Sequence, residues 1–586
     1  MRALILGLGL ALTGCRGATR WETEPKPATA VRGMVVCEHD LATQVGVDVL
    51  ERGGNAVDAA VATALALAVV LPEAGNLGGG GFAIVATRDG DARALDFRET
   101  APEGASLAAY LAPDGSALAE RAQRGALSVG VPGSPAGLWE LERELGSKRF
   151  SFGELAAPAI ALAARGFPVD ARLADELADP KLRAALVADP EAAETFYPGG
   201  RALEDGDVLR QPALARTLER LANSGPDGFY RGEVAERLVA RLARETPAST
   251  LSLADLEGYR AKWREPLIGW FRGYELVTMP PPSSGGLILL QTLGVLDGFP
   301  LDTRRAEVLA EERAAPSVDR DPNGLDDRSV HWWIEALRRA FAERAAHVGD
   351  PDFVDVPLDE LVGAEWTARA RVSIGENAAP TIESLLPAPP EGAQTTHLSV
   401  VDALGNAVSL TTTLNSGWGA RFASDGVLLN NELDDFALPG VANQFGLVGS
   451  AANALQPGKR PLSTMTPTIV RQSDRSVVLV IGSPGGPRIV SSVVGVLLRI
   501  LVLGQSLDDS VRAPRLHQQW RPPSTDFEPG WSTRLLDGLE RRGHAVRRDV
   551  EPWGSVQVIQ IDRAGEPHGV SDPRRPGGVR ATRLAR

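Results

Sequence analysis

A threonine hydroxyl is a weak nucleophile until a base or a hydrogen-bonding neighbour activates it, so the informative feature is two threonines that a fold must bring together. The stretch QTTHLSVVDALGNAVSLTTTLNS (394–416) has this property. It alternates on either side of Ala403-Leu404-Gly405, and a three-residue loop ending in Gly is a standard hairpin connection. With Asp402 facing Asn406, the ladder pairs 400 with 408, 398 with 410, 396 with 412 and Thr395 with Thr413. Thr413 and Asn415 are two apart on one strand and should share a face. Taken alone, a Thr pair is better explained by sheet packing, which favours β-branched residues. His397 falls on the face of Thr395, where a supporting role stays open, but it is not assigned as a base.

Further polar or glycine-rich segments stand at the ends of apolar runs, where ligand-binding groups usually sit. LLNNELDDF (428–436) places acids beside a polar turn, and PLSTMTPT (461–468) carries hydroxyls. GSPGG (482–486) follows the apolar SVVLVIG and opens the helical run RIVSSVVGVLLRIL, so its backbone N–H groups can point at developing negative charge. Neither this turn nor the run Gly78–Gly81 has the GK[ST] ending of a phosphate loop. Each is explained equally well as a tight turn between closely packed backbones. Arg98 as a surface ion pair, and Glu432, Asp434 and Asp435 as a solvated loop, are the bland alternatives for the charged groups.

These groups need elements to carry them. From Asn55, a good N-cap, AVDAAVATALALAVVL is apolar nearly all round, which predicts a helix buried on every side and ending before Pro72. FAIVATRDGDARALDF (82–97) reads as two strands about an Asp89-Gly90 turn, with Arg98 next. Residues 152–246 have helical periodicity, and 329–345 read as an amphipathic helix. PPPSSGG (280–286) is a breaker-rich loop, 302–327 a charged surface insertion of weak periodicity, and about 377–392 a Pro-rich connector before a strand-dominated remainder.

The chain has 586 residues, long enough for one large layered body or two. With 44% hydrophobic and 23% charged residues it has ordinary globular proportions, which argue against extensive disorder. Lys and Arg total 61 against 75 Asp and Glu, and the net charge of -14 disfavours nucleic-acid phosphates as partners. Arg2, an apolar run from Ala3 to Leu12 and Thr13-Gly14-Cys15 read as a secretory signal too short to span a bilayer. The Leu-Thr-Gly-Cys ending resembles a bacterial lipoprotein signal cut before a lipidated Cys15; a plain signal with a chance Cys is the alternative. Residues 16–32 have tether composition, and with only Cys15 and Cys37 present, lipidation would leave no internal disulfide. The seven His are scattered and no HExxH or paired-Cys spacing occurs, so no metal or other cofactor is expected.

From about Gly33 to Gly577 the sequence resembles the γ-glutamyltransferase family of N-terminal nucleophile hydrolases. Stretches that match in the family's order include GGNAVDAAVA, LDFRETAP, MPPPSSGG, GDPDFV, TTHLSVVD, LLNNELDDF, GSPGGPRI and DPRRPGG. The resemblance implies an α/β (α+β) fold, a four-layer αββα sandwich formed jointly by two chains after self-cleavage between Gln394 and Thr395. The expected parts are a signal (1–14), a tether (15–32), a large subunit (33–394) and a small subunit (395–586). Thr395 would be the nucleophile, with its freed amine as base, Thr413 its hydrogen-bonding partner, and Gly485 and Gly486 the oxyanion hole. For a γ-glutamyl group, Arg98, Ser463 and Thr464 would take the α-carboxylate, and Asn415, Glu432 and Asp435 the α-ammonium.

Implied substrates are glutathione and related γ-glutamyl compounds, with water or an amino acid as acceptor, in an exported, periplasmic, lipid-anchored enzyme. The stretch 439–460 resembles a lid found in some members. Thr464 stands where a second Ser is common but keeps the hydroxyl. A cephalosporin-type acylase is the main rival, opposed by Glu432 and Asp435, because its acyl group lacks the ammonium. A non-cleaving protein that keeps only the fold is opposed by the intact Thr395, Thr413, Gly485 and Gly486.

Overall fold

The computed structural model describes residues 32–314, 321, 324–380 and 393–583, so Cys15 and the expected signal and tether lie outside the described residues, apart from Arg32. The strands of the two large sheets are, in chain order, β1 (Met34–Cys37), β2 (Gly80–Ala86), β3 (Ala92–Phe97), β4 (Lys262–Arg264), β5 (Leu267–Phe271), β6 (Tyr274–Thr278), β7 (Ala393–Val401), β8 (Ala407–Ser416), β9 (Thr468–Arg471), β10 (Val477–Gly482), β11 (Gln557–Ile561), β12 (Pro567–Ser571) and β13 (Gly578–Ala581). One sheet runs β13-β1-β7-β8-β2-β3-β4 and the other β12-β11-β10-β9-β6-β5. Val36, Phe82, Ile84, Val277, Ile469, Val480 and Ile559 fill the space between them.

Helices cover both outer faces, which makes the expected four layers. On the first sheet lie α1 (Asp40–Glu51), α2 (Ala56–Val70), α3 (Phe152–Arg165) and α4 (Pro212–Ser224), with α2 at the centre. All fifteen residues of α2 are buried, and Asn55 and Asp58 form a reciprocal capping box at its start. On the second sheet lie α5 (Gly285–Leu296), α6 (Asp327–His347) and α7 (Arg488–Leu501).

The stretch 329–345, read as an amphipathic helix, is helical within α6, but most of its residues from Ser329 to Ala345 are buried, and Glu335 is held by Arg338 and Arg339 at 2.8 and 2.5 Å. Charged positions that suggested a solvent face are internal ion pairs. The segment read as a charged surface insertion of weak periodicity is helical over Leu301–Ala314, since AEVLAEERA is rich in the strong helix formers Ala, Glu, Leu and Arg even though its apolar positions do not line up.

The two strands around Asp89-Gly90 are β2 and β3, as expected. The hairpin β7–β8 has the predicted register, Val400 opposite Val408, Leu398 opposite Leu410, Thr396 opposite Thr412 and Thr395 opposite Thr413.

Candidate active site

Strand β7 passes through the Gln394–Thr395 peptide bond, and the pairing with β8 changes step beside it. Thr395 faces Thr413 but Ala393 faces Ser416, so two residues, Leu414 and Asn415, stand opposite the single Gln394. That is a β-bulge, a device that bends a strand and re-aims side chains. Asn415 takes a positive φ of 78°, so it does not simply share the face of Thr413 as strict alternation requires. Instead its N–H donates to Thr413 Oγ1 at 2.9 Å, while its side-chain amide donates to Asn431 O at 2.9 Å.

Thr413 Oγ1 lies 3.2 Å from Thr395 Oγ1, and both residues are buried. Thr413 Oγ1 thus accepts the Asn415 N–H and shares a second hydrogen bond with Thr395 Oγ1, in which either hydroxyl can be the donor. The strand beneath is anchored by Asn76, a residue sequence reading missed. Its amide donates to Thr413 O at 2.9 Å and Thr412 Oγ1 at 3.1 Å, and accepts from Gly79 N at 3.0 Å and Ser134 Oγ at 2.7 Å. A Cβ on Gly79 would stand 2.0 Å from Thr413 O. The glycine run is therefore a close-packing device under the hairpin.

The turn after β10 reaches the same place. Gly485 and Gly486 have φ of 130° and 54°, which L side chains rarely adopt, and the turn hands the chain directly into α7. Thr464 Oγ1 donates to Gly486 O at 2.9 Å, tying the hydroxyl segment to this turn. Among the described residues no acceptor takes the N–H of Gly485 or Gly486, so both remain able to donate to an oxyanion.

His397 does not touch Thr395. It lies between the sheets, with Nδ1 2.8 Å from Thr411 Oγ1 and Nε2 3.1 Å from Ser399 Oγ, and burial lowers its pKa to about 3. A Cβ on Gly482 would come within 2.3 Å of its ring. His397 thus sets the spacing between the strand that carries Thr395 and the strand that leads to Gly485.

The charged groups are neither surface ion pairs nor a solvated loop. Arg98 is 1% exposed and Glu432 fully buried. Arg98 Nη1 donates to Glu432, and Nη2 to Asp435 at 2.6 Å. The remaining contacts of Arg98 are the carbonyls of Pro461 and Leu462, both at 3.2 Å. Glu99 stands 3.8 Å behind. Burial pushes the Glu432 carboxyl well up and Glu99 up to about 7, against the opposing pull of Arg98. Burial and the mutual repulsion of Glu99, Glu432 and Asp435 around one guanidinium all disfavour full ionisation of the three acids. The residues expected to serve two separate ends of a zwitterion therefore pair with one another here.

Thr395, Thr413, Asn415, Arg98, Glu432, Asp435, Ser463, Thr464 and Gly486 line one pocket of about 320 Å³, with Gly485 next in the turn. Phe445 and Leu447, from the 439–460 stretch, cover it. That stretch is fastened to the acids: Asn443 Nδ2 donates to Asp435 Oδ1 at 2.8 Å, and Gln444 N to Asp434 Oδ2 at 3.1 Å. Arg344 of α6 also lines the pocket and was missed. Its only sequence signal was a cation in a helix read as amphipathic.

No group of three or more His, Cys, Asp and Glu among the described residues could hold a metal ion, and no described helix is long and apolar enough to cross a membrane.

The profile of the gamma-glutamyltranspeptidase family matches residues 42–582. The chain is 41% identical to a glutathione hydrolase proenzyme of Pseudomonas sp. (strain A14), over 94% of each chain. It is 40% identical to the glutathione hydrolase proenzyme of Escherichia coli (strain K12), over 94% of this chain and 91% of that one. Among solved structures, a cephalosporin acylase from Bacillus halodurans superposes with a TM-score of 0.79 at 28% identity, covering 96% of this chain and 99% of that one. The gamma-glutamyltranspeptidase of Helicobacter pylori gives a TM-score of 0.52 at 35% identity, covering 60% of this chain and 94% of that one. The chain belongs to the gamma-glutamyltranspeptidase family.

Proposed function

We propose that this protein is a self-processing γ-glutamyltransferase and glutathione hydrolase whose nucleophile is Thr395. The observation that carries this reading is the Thr395–Thr413 hydroxyl pair at 3.2 Å beside a buried cluster of Arg98, Glu432 and Asp435. In the precursor, Thr395 Oγ1 attacks the Gln394 carbonyl carbon, and the resulting ester is hydrolysed by water. Gln394 leaves as a carboxylate and Thr395 gains a free amine. That amine then takes the hydroxyl proton as Thr395 attacks the γ-carbonyl of a donor.

Gly485 and Gly486 donate to the tetrahedral oxyanion, each such donor worth about 3 kcal/mol in the transition state. Collapse expels the amine, cysteinylglycine in the case of glutathione, which takes the proton back. Water or an amino acid then accepts the γ-glutamyl group from the ester. The α-ammonium of the donor is balanced by the buried acids, and Arg98, Ser463 and Thr464 face the α-carboxylate. Asn415 completes the ammonium side.

The Bacillus halodurans acylase keeps the acylase reading open by fold, but three buried acids suit a cationic group that a glutaryl side chain lacks. The subunits would be 33–394 and 395–586. We further propose export behind the 1–14 signal, a periplasmic location and a lipid anchor at Cys15. The deciding experiment compares wild type with Thr395→Ala on a denaturing gel and on a γ-glutamyl anilide, with and without glycylglycine. Two bands and a rate stimulated by the dipeptide are expected for wild type, one band and no rate for the variant. Equal rates for both would overturn the assignment.

A further inference from the structure

The donor pocket contains a second buried cation with a different status from Arg98. Arg98 spends four donor positions on Glu432, Asp435, Pro461 O and Leu462 O, and it is outnumbered by Glu99, Glu432 and Asp435. One guanidinium among three acids makes a poor attractor for a carboxylate. Arg344, 3% exposed on α6, lines the same pocket and makes no ion pair within 4.0 Å among the described residues. Its Nε donates to Ser284 Oγ at 3.2 Å and its Nη1 approaches Val448 O, in the covering stretch, at 3.4 Å.

Ser284 is the end of a relay. Its hydroxyl donates to Ser463 O at 2.7 Å and its N–H to the same oxygen at 2.8 Å. Neighbouring Ser283 donates to Met465 O at 2.6 Å. The two serines of PPPSSGG therefore grip the carbonyls of Ser463 and Met465, on either side of Thr464, in the segment whose hydroxyls are proposed to face the substrate. This accounts for a motif that the proposed chemistry leaves unused.

We propose that Arg344 is a positioning residue for the donor's α-carboxylate. It braces Ser463 through Ser284 and adds the positive charge that offsets the surplus acids around Arg98, so that a donor bearing a carboxylate is accepted beside them. This inference rests on the γ-glutamyl reading of the pocket.

The test uses the mature, self-cleaved protein with Arg344→Met, Arg344→Lys and Ser284→Ala. A γ-glutamyl anilide is the donor, and L-glutamine, glutaramic acid (no ammonium) and 4-aminobutanamide (no carboxylate) are competing ligands. Arg344→Met should raise KM and weaken the two carboxylate-bearing ligands by about tenfold or more, with kcat within about threefold and 4-aminobutanamide unchanged. Arg344→Lys should recover part of the loss, and Ser284→Ala should show a smaller loss of the same pattern. Equal weakening of all three ligands, a loss confined to kcat, or no change would overturn the proposal. If Arg344→Met does not fold or does not self-cleave, Ser284→Ala and Arg344→Lys decide: unchanged KM in both overturns it. Failure of the γ-glutamyl reading looks different, because wild type itself would then not turn over the donor.

Discussion

Thr395 Oγ1 and Thr413 Oγ1 face each other at 3.2 Å across a register that ends in a bulge opposite Gln394. The pair precedes any cut, so Thr413 should serve both self-cleavage and turnover. Thr413→Ala is expected to slow conversion to two bands and to lower kcat by about ten- to a hundredfold, while Thr413→Ser retains most of both. A time course on a denaturing gel, followed by steady-state kinetics of the cleaved fraction, measures the two effects.

The pocket acids should decide donor choice. Asp435→Asn is expected to raise KM for a γ-glutamyl anilide by about tenfold or more while improving the relative acceptance of a glutaryl anilide, whose acyl group brings no ammonium. Glu432→Gln should act in the same direction. A ratio of the two kcat/KM values that does not move would argue against the assignment of these acids to the ammonium.

Asn76 should matter without touching substrate. Its removal takes away the amide that Gly79 N–H and Thr413 O bond to. Asn76→Ala is therefore expected to cost about 1–3 kcal/mol for each group left unsatisfied, and to slow self-cleavage because the β8 backbone at Thr413 is released. Thermal unfolding in a Thr395→Ala background, where the chain stays continuous, isolates the stability effect.

Gly482 and His397 form a coupled pair. Gly482→Ala should destabilise the protein and lower kcat, since the new Cβ would displace either the His397 ring or the turn that carries Gly485 and Gly486. Adding His397→Ala should recover part of the stability, a non-additivity that a double-mutant cycle reads directly.

His397 also predicts a pH dependence. Its folded pKa, lowered by burial to about 3, lies below the ordinary histidine value of 6.5, so the unfolded chain takes up a proton that the folded chain refuses. The stabilising contribution is complete above pH 6.5 and is lost as pH falls toward 3. Between these limits stability should fall by about 1.4 kcal/mol per pH unit from this group alone. Replacing His397 with Gln in the Thr395→Ala background should flatten the pH profile of unfolding by that one-proton slope.

The residues that repeat with a simple period were readable in the chain itself. The Gly405-closed hairpin predicts the pairing of Thr395 with Thr413, because a β-strand has a side-chain period of two and a short turn leaves one register. The all-apolar run after Asn55 likewise predicts a helix buried on every side. The positions of groups that meet across the chain were another matter. The positive φ of Asn415, the pairing of Arg98 with Glu432 and Asp435, the Arg344–Ser284–Ser463 relay and the seat of His397 on Gly482 join residues from about 60 to more than 300 positions apart, or break local alternation. Hydrophobic periodicity carries no information on which buried charge meets which, since that is settled by the packing of two sheets and their helices and by the desolvation each charge must offset. The sequence by itself determined the strand that carries Thr395 and its pairing with Thr413; tertiary packing decided the electrostatics of the pocket beside it.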